Sequence, residues 1–126
     1  MILIGHPEVE SKLFYAITSQ EDIANTPAQA PLLIEFDTAL CIYCSQNKLS
    51  FGVHVKSIKS LVLAHALGAS FLIVDTSLAL NAQKIANEYL FDAKILLLCD
   101  NDESIEFCAL HGIDGILFSQ SIQRIT

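Results

Sequence analysis

The sequence predicts an α/β domain, a three-layer sandwich in which helices cover both faces of a mainly parallel sheet of about five βα units. Two observations lead to this prediction. Short apolar runs recur along the chain, and segments with helical periodicity separate them. Most of the runs are apolar at every position, which is typical of strands whose two faces are both covered, as in a parallel sheet.

The five apolar runs are the predicted strands of this repeating part. They are LLIEF from position 32, FGVHV from 51, SFLIV from 70, KILLLC from 94 and GILF from 115. Their starts are therefore 19, 19, 24 and 21 residues apart. That spacing leaves room for one helix in each connection, as parallel strands require.

The segments between the runs carry helix signals. In SIKSLVLAHALG, which ends at Gly68, the apolar residues share one face, and glycine is a good residue for a left-handed helix end. SLALNAQKIANEYL has Ser77 as its predicted N-cap. DNDESIEFCALHG has Asp102 as N-cap, acidic residues in its first turn and Gly112 at its end.

The first thirty residues form a predicted N-terminal β-rich segment. MILIG and KLFYAI are predicted strands, and TSQEDIANT is a predicted short helix capped by Thr18 or Ser19. Pro27 and Pro31 end this segment, because proline cannot continue a helix. No linker or low-complexity stretch interrupts the chain, so we predict a single domain over residues 1–126.

Two phrases resemble βα units of TIM-type barrels. They are ALGASFLIVD and LHGIDGILFS, and the resemblance extends over residues 55–118. Five units are too few to close an eight-stranded barrel, so the length favours an open sheet similar to flavodoxin-like or Rossmann-like folds. The run GILF is followed by SQSI, which has no glycine, so the phosphate site of such barrels is not carried over.

Composition and charge limit the classes of function. Hydrophobic residues make up 52% of the chain and charged residues only 17%, which predicts exposed apolar surface and self-association as a homodimer. The net charge of −7 and the scattered cations argue against nucleic-acid binding. The longest apolar stretch, LVLAHALGASFLIV, is too short to span a membrane, and the N-terminus has no basic signal-peptide region. We therefore expect a cytoplasmic protein with reduced thiols and no membrane association.

The stretch LIEFDTALCIYC contains a Cys-x-x-Cys pair, Cys41 and Cys44. It resembles the opening of thioredoxin, in which the first thiol attacks and the second resolves the mixed disulfide. It departs from that family in having Ile42 and Tyr43 between the cysteines, and in lacking any proline after Pro31. Two thiolates at this spacing could also form half of a zinc site, but the sequence has no second pair of ligands at zinc spacing. The interpretation we favour is that both cysteines pack in the core on one helix face.

Acidic residues stand directly after three predicted strands. Asp37, Asp75 and Asp100 hold these positions, while His6 follows the first strand and His54 lies within the strand from 51. The carboxyl ends of parallel strands share one edge, where ligands bind. Such residues could bind a small molecule or a divalent cation, or supply a general base. The alternative is that each aspartate only caps the helix that follows it.

The sequence does not identify a function, a reaction or a cofactor. It contains no dinucleotide-binding glycine motif, P-loop, nucleophile elbow or zinc-protease motif, so the interpretation leans away from an enzyme. Our first hypothesis is a non-catalytic interaction or regulatory domain that self-associates. The second is a small-molecule or divalent-metal site, with hydrolysis as one use, built from Asp37, His54, Asp75 and Asp100. The third is a thiol redox protein acting through Cys41 and Cys44.

Overall fold

The computed structural model describes residues 1–125, and the described chain forms one eight-stranded sheet with four α-helices. The strands are β1 (Ile2–Ile4), β2 (Tyr15–Ala16), β3 (Leu32–Glu35), β4 (Phe51–His54), β5 (Phe71–Val74), β6 (Lys94–Cys99), β7 (Gly115–Phe118) and β8 (Gln123–Arg124). The helices are α1 (Thr38–Gln46), α2 (Ile58–Ala66), α3 (Thr76–Glu88) and α4 (Glu103–His111). Two short 3₁₀ helices cover Gln20–Asn25 and Ser119–Ser121.

Every strand pairing in the sheet is parallel, and the strand order is β1-β7-β6-β5-β4-β3-β2-β8. The parallel α/β class predicted from the sequence is confirmed. From β3 to β7 each strand lies beside the next one in the chain, so consecutive crossovers advance in one direction. The order therefore lacks the reversal that characterises flavodoxin-like and Rossmann-like sheets, and that part of the prediction is not confirmed.

The two faces of the sheet have different neighbours. One face packs against buried residues from all four helices, including Leu40, Leu61, Ala82 and Cys108. The other face carries a second apolar cluster whose buried members all come from strands or the residues beside them: Ile4, Phe14, Leu33, Ile73, Leu96 and Leu117. One-handed crossovers that advance in one direction place their helices on a single face, which explains this division.

The sheet is curled around this second cluster. The rings of Phe14, beside β2, and Phe71, on β5, are 5.3 Å apart and meet edge to face. Strands three places apart in a flat sheet are about 14 Å apart, so the curl brings these side chains together. Gly52, on β4, lies beside both residues: a Cβ there would stand 3.0 Å from the Phe14 ring, 3.1 Å from Phe71 Cβ and 2.7 Å from Ile73 Cδ1. The layers are therefore helices, sheet and the opposite wall of the same curled sheet; the expectation of helices on both faces is wrong, because the second face packs on itself.

Residues 119–124 bring the two edges of the sheet together. A single turn of 3₁₀ helix connects β7, which pairs with β1, to β8, which pairs with β2. The side chain of Ser121 fills the space beside Gly5, whose φ of 90° requires a residue without a Cβ. The N–H of Gln123 donates to the carbonyl of Phe14 at 2.9 Å. The sequence did not predict β8, because a strand of two residues leaves no pattern.

The helix ends follow the predicted residues with one exception. Ser57 caps α2 by accepting the N–H of Ser60 at 3.1 Å, and α4 ends at Gly112 with a φ of 68°. The predicted N-cap of α3, Ser77, is wrong: the helix begins one residue after Asp75, which holds the N-cap position. In the N-terminal segment, the predicted strand KLFYAI shortens to Tyr15–Ala16, and the predicted helix is the first 3₁₀ helix.

No helix in the described part of the chain is both long and apolar enough to cross a membrane.

Candidate functional site

The interior-facing row of side chains changes from apolar to polar at the carboxyl end of the sheet. Side chains alternate between the two faces of a strand, so residues two apart point to the same side. Two positions beyond the interior-facing residues Ala16, Leu33, Gly52, Ile73 and Leu98 stand Thr18, Glu35, His54, Asp75 and Asp100. The mouth of the curled sheet thus carries a staggered row of polar residues above an apolar interior, in which Thr18, Glu35 and His54 are level and Asp75 and Asp100 stand further along their strands.

Three members of this row are in contact. Glu35 and His54 are register partners on neighbouring strands, and His54 Nδ1 lies 3.0 Å from Glu35 Oε2. On its other side, His54 Nε2 lies 3.4 Å from Asp75 Oδ1. The imidazole is largely buried, with 14% of its side chain exposed, whereas the two carboxylates are mostly exposed.

This arrangement fixes what His54 can do. A neutral imidazole has one N–H and can donate to only one of the two carboxylates, whereas an imidazolium donates to both. Two carboxylates on opposite sides of one ring hold the ring plane in place. The group of three acts as a fixed, net negative wall at the mouth.

A cavity of about 430 Å³ opens beside this wall. Its apolar floor includes Leu33, Ile73, Leu98 and Ile122, and its rim includes Glu35 and His54. A volume of this size lies within the range of small-molecule sites, which are mostly apolar with a few polar groups at fixed positions.

The remaining charged residues of the cavity come from the two ends of the chain. Asp22, in the first 3₁₀ helix, accepts the backbone N–H and the hydroxyl of Thr18 and the N–H of Ser19 at its Oδ2. The Thr18 backbone N–H is the largest cause lowering the pKa of Asp22 below its ordinary value of 3.8. Arg124, on β8, has no hydrogen bond or ion pair with another side chain in residues 1–125.

The other predicted site residues lie apart from this cavity. Asp37 Oδ1 accepts the N–H of Leu40 at 2.9 Å, which is the helix-capping role. Asp100 is exposed and accepts a hydrogen bond from Asn101 at 3.2 Å. His6 Nε2 lies 3.0 Å from Asp102 Oδ1, while its Nδ1 accepts the N–H of Glu8. Of the four predicted ligand-binding residues, the structure brings together His54 and Asp75.

The Cys-x-x-Cys pair lies in the helix-facing core. Cys41 and Cys44 are both 0% exposed, so the preferred interpretation, two packed core residues, is confirmed. Burial is the main cause that raises the pKa of each thiol above its ordinary value of 9.0. An attacking thiolate needs the opposite shift and an accessible sulfur.

Glu35 and Arg124 line the cavity but were not predicted from the sequence. Glu35 is the last residue of an apolar strand, and only its register with His54 makes it part of the site. The signal that could have identified it is the alternation from Leu33, which requires Glu35 to face the same side as its interior neighbour. Arg124 lies on β8, and no sequence pattern predicted that this strand lines the cavity.

In residues 1–125, no three His, Cys, Asp or Glu side chains are grouped in a way that could hold a metal ion. Comparison with protein-family models, curated proteins and solved structures finds no match to this chain.

Proposed function

We propose that this protein binds a small molecule in the cavity at the carboxyl mouth of its curled sheet. The observation that carries the proposal is the position of the cavity beside a row of polar side chains, with Glu35, His54 and Asp75 in contact. Ligands of parallel α/β proteins bind at the carboxyl ends of the strands, where the loops leave space.

The structure of the wall supports a binding role more directly than a catalytic one. His54 uses both ring nitrogens on carboxylates of its own chain, so neither is free for a substrate. A general acid or base must come within hydrogen-bond reach of the substrate proton. We therefore assign His54 the role of holding Glu35 and Asp75 in fixed positions.

The test is a screen of a small-molecule collection by thermal shift, followed by ¹H–¹⁵N NMR spectra of the compounds that raise the melting temperature. A ligand at one hundred times its Kd stabilises the fold by about 2.7 kcal/mol. The expected result is that backbone resonances of Leu33, His54 and Leu98 shift on titration, since these residues line the cavity.

The variant Ala16→Leu provides the specificity control. Ala16 lines the cavity, and a leucine there would occupy part of its space. The matched variant Ala109→Leu adds the same side chain at an exposed position on α4. We expect Ala16→Leu to lose binding and Ala109→Leu to keep it; ligands that bind both variants equally, or that shift only distant resonances, would contradict the proposal.

A second proposal, self-association, is favoured by apolar side chains exposed on the helix layer. Leu90 is 87% exposed, Leu110 is 75% exposed and Tyr89 is 71% exposed. Scattered single apolar residues are normal at protein surfaces, but side chains this large and this exposed favour an interface. The two proposals are compatible, because the mouth and the helix layer are different surfaces.

A further inference from the structure

Beyond the proposal that the cavity binds a ligand, its charges indicate which class of ligand it takes. The lining includes carboxylates on Asp22 and Glu35 and one guanidinium, on Arg124. Asp22 is committed to its own chain, because its Oδ2 accepts three hydrogen bonds from Thr18 and Ser19. Glu35 has only Oε2 engaged, by His54, which leaves Oε1 for a ligand.

Arg124 and Glu35 both line the cavity but lie on strands that are not neighbours, with a gap of one strand between them. Arg124 is on β8 and Glu35 is on β3, and these strands flank β2. Neighbouring strands are about 4.8 Å apart, and Glu35 lies two residues beyond Leu33, the residue level with Ala16 and Arg124, so the two backbones are separated by about 12 Å. The residue between them that pairs with Arg124 is Ala16, which has almost no side chain. No ion pair joins Arg124 to Glu35 in residues 1–125.

A ligand with a single charge can form an ion pair with only one of these two residues. An anion would pair with Arg124 but would meet the negative charge of Glu35 and Asp22. A cation would pair with Glu35 but would leave the guanidinium without a partner. A molecule that carries both charges can pair with both residues, and charge-assisted hydrogen bonds are the strong ones.

The floor of the cavity sets the third requirement. Leu33, Ile73 and Ile122 lie below the charged rim and present only apolar atoms there. We propose that the ligand is a small zwitterion with an apolar body, of the class of the apolar α-amino acids. Its carboxylate pairs with Arg124, its ammonium pairs with Glu35, and its apolar side chain lies on the floor. This inference rests on the proposed function.

The test is isothermal titration calorimetry with valine, leucine, methionine and phenylalanine, each compared with two matched analogues. For leucine these are isopentylamine, which lacks the carboxylate, and 4-methylpentanoate, which lacks the ammonium. At least one amino acid should bind about tenfold or more tightly than both of its analogues, as expected when a charge-assisted bond is lost.

Two variants assign the charges. Arg124→Gln should weaken binding of the amino acid about tenfold but should not weaken binding of isopentylamine, which has no carboxylate for Arg124 and is repelled by its charge. Glu35→Gln should weaken binding of the amino acid but should not weaken binding of 4-methylpentanoate, which is repelled by the carboxylate that this variant removes. Both residues are exposed, so neither variant is expected to unfold the protein, and circular dichroism spectra verify this.

The outcomes separate this inference from the proposed function. If the analogues bind as tightly as the amino acids, and Ala16→Leu abolishes that binding, the cavity is a ligand site but the zwitterion is refuted. If no amino acid binds while other compounds from the screen do, the zwitterion is likewise refuted and the proposed function stands. If nothing in the screen or in this series binds in the cavity, both are refuted.

Discussion

Gln83 is the residue whose replacement tests the packing of the helix layer most directly. It lies on α3, is 4% exposed and is the buried polar side chain of the described core. Its Oε1 accepts the N–H of Asp114 at 2.9 Å, and its Nε2 donates to Asn87 at 3.0 Å. Asp114 in turn accepts the N–H of Ile95 at 2.9 Å. This chain of hydrogen bonds joins α3 to the beginnings of β6 and β7.

The variant Gln83→Met removes both hydrogen bonds of this side chain with little change in its shape. The N–H of Asp114 then lacks its acceptor in a partly buried position, which costs about 1–3 kcal/mol. Methionine offsets part of that loss, because its apolar atoms do not need partners. We therefore expect the free energy of unfolding to fall by about 1–2 kcal/mol. For a chain of this length, each kcal/mol lowers Tm by about 3–6 °C.

Urea denaturation monitored by circular dichroism measures this change. The matched control is Gln46→Met, which makes the same substitution at an exposed position near the end of α1. We expect the control to differ from the wild type by less than about 0.5 kcal/mol. If Gln83→Met is as stable as the control, the hydrogen bonds of Gln83 do not contribute to stability and the reasoning is refuted.

Two further predictions concern the thiols and the outer surface. Burial raises the pKa of Cys108 to about 11 from the ordinary value of 9.0, so the folded state favours the protonated thiol. The free energy that this preference adds to stability is therefore fully present below pH 9 and is lost as the pH rises towards 11. Urea denaturation at pH 8 and pH 10.5 should therefore show a larger loss for the wild type than for Cys108→Ala; equal losses would refute the shift. If Leu90 and Leu110 belong to an interface, Leu90→Ser with Leu110→Ser should lower the mass measured by native mass spectrometry to that of a monomer. A wild type that is already monomeric at micromolar concentration would refute self-association.

The strands and helices could be predicted because their signals are local. The runs from 32, 51, 70, 94 and 115 all contain strands, and the segments between them contain α1 to α4. Apolar periodicity and capping residues determine such elements within a window of about 20 residues. Elements with few residues carry no such signal, which explains why β2 was predicted too long and β8 was not predicted at all.

The curl of the sheet could not be predicted, because it depends on pairings between distant parts of the chain. The continuous apolar runs correctly indicated two covered faces, but they do not say what covers each face. Helices cover one face, and the other is covered by the far side of the same sheet, where Phe14 meets Phe71. Gly115 shows how closely the strands approach: a Cβ there would stand 2.6 Å from Ile2 Cβ on β1. In the sequence, this glycine is only the first residue of GILF.

The strand-end aspartates show why the site was located correctly but only partly identified. Asp37 and Asp75 hold the same position relative to the helices, since each is the N-cap of the helix that follows. They are also level in the sheet, because Glu35, His54 and Ile73 are register partners and each aspartate stands two residues further along its strand. What differs is the residue level with His54. On β3 it is Glu35, which contacts His54, while Asp37 caps α1. On β5 it is the apolar Ile73, and Asp75 beyond it contacts His54 and makes no capping hydrogen bond. The residue level with His54 on each neighbouring strand, and not the position of an acid after an apolar run, therefore decides which carboxylate belongs to the mouth.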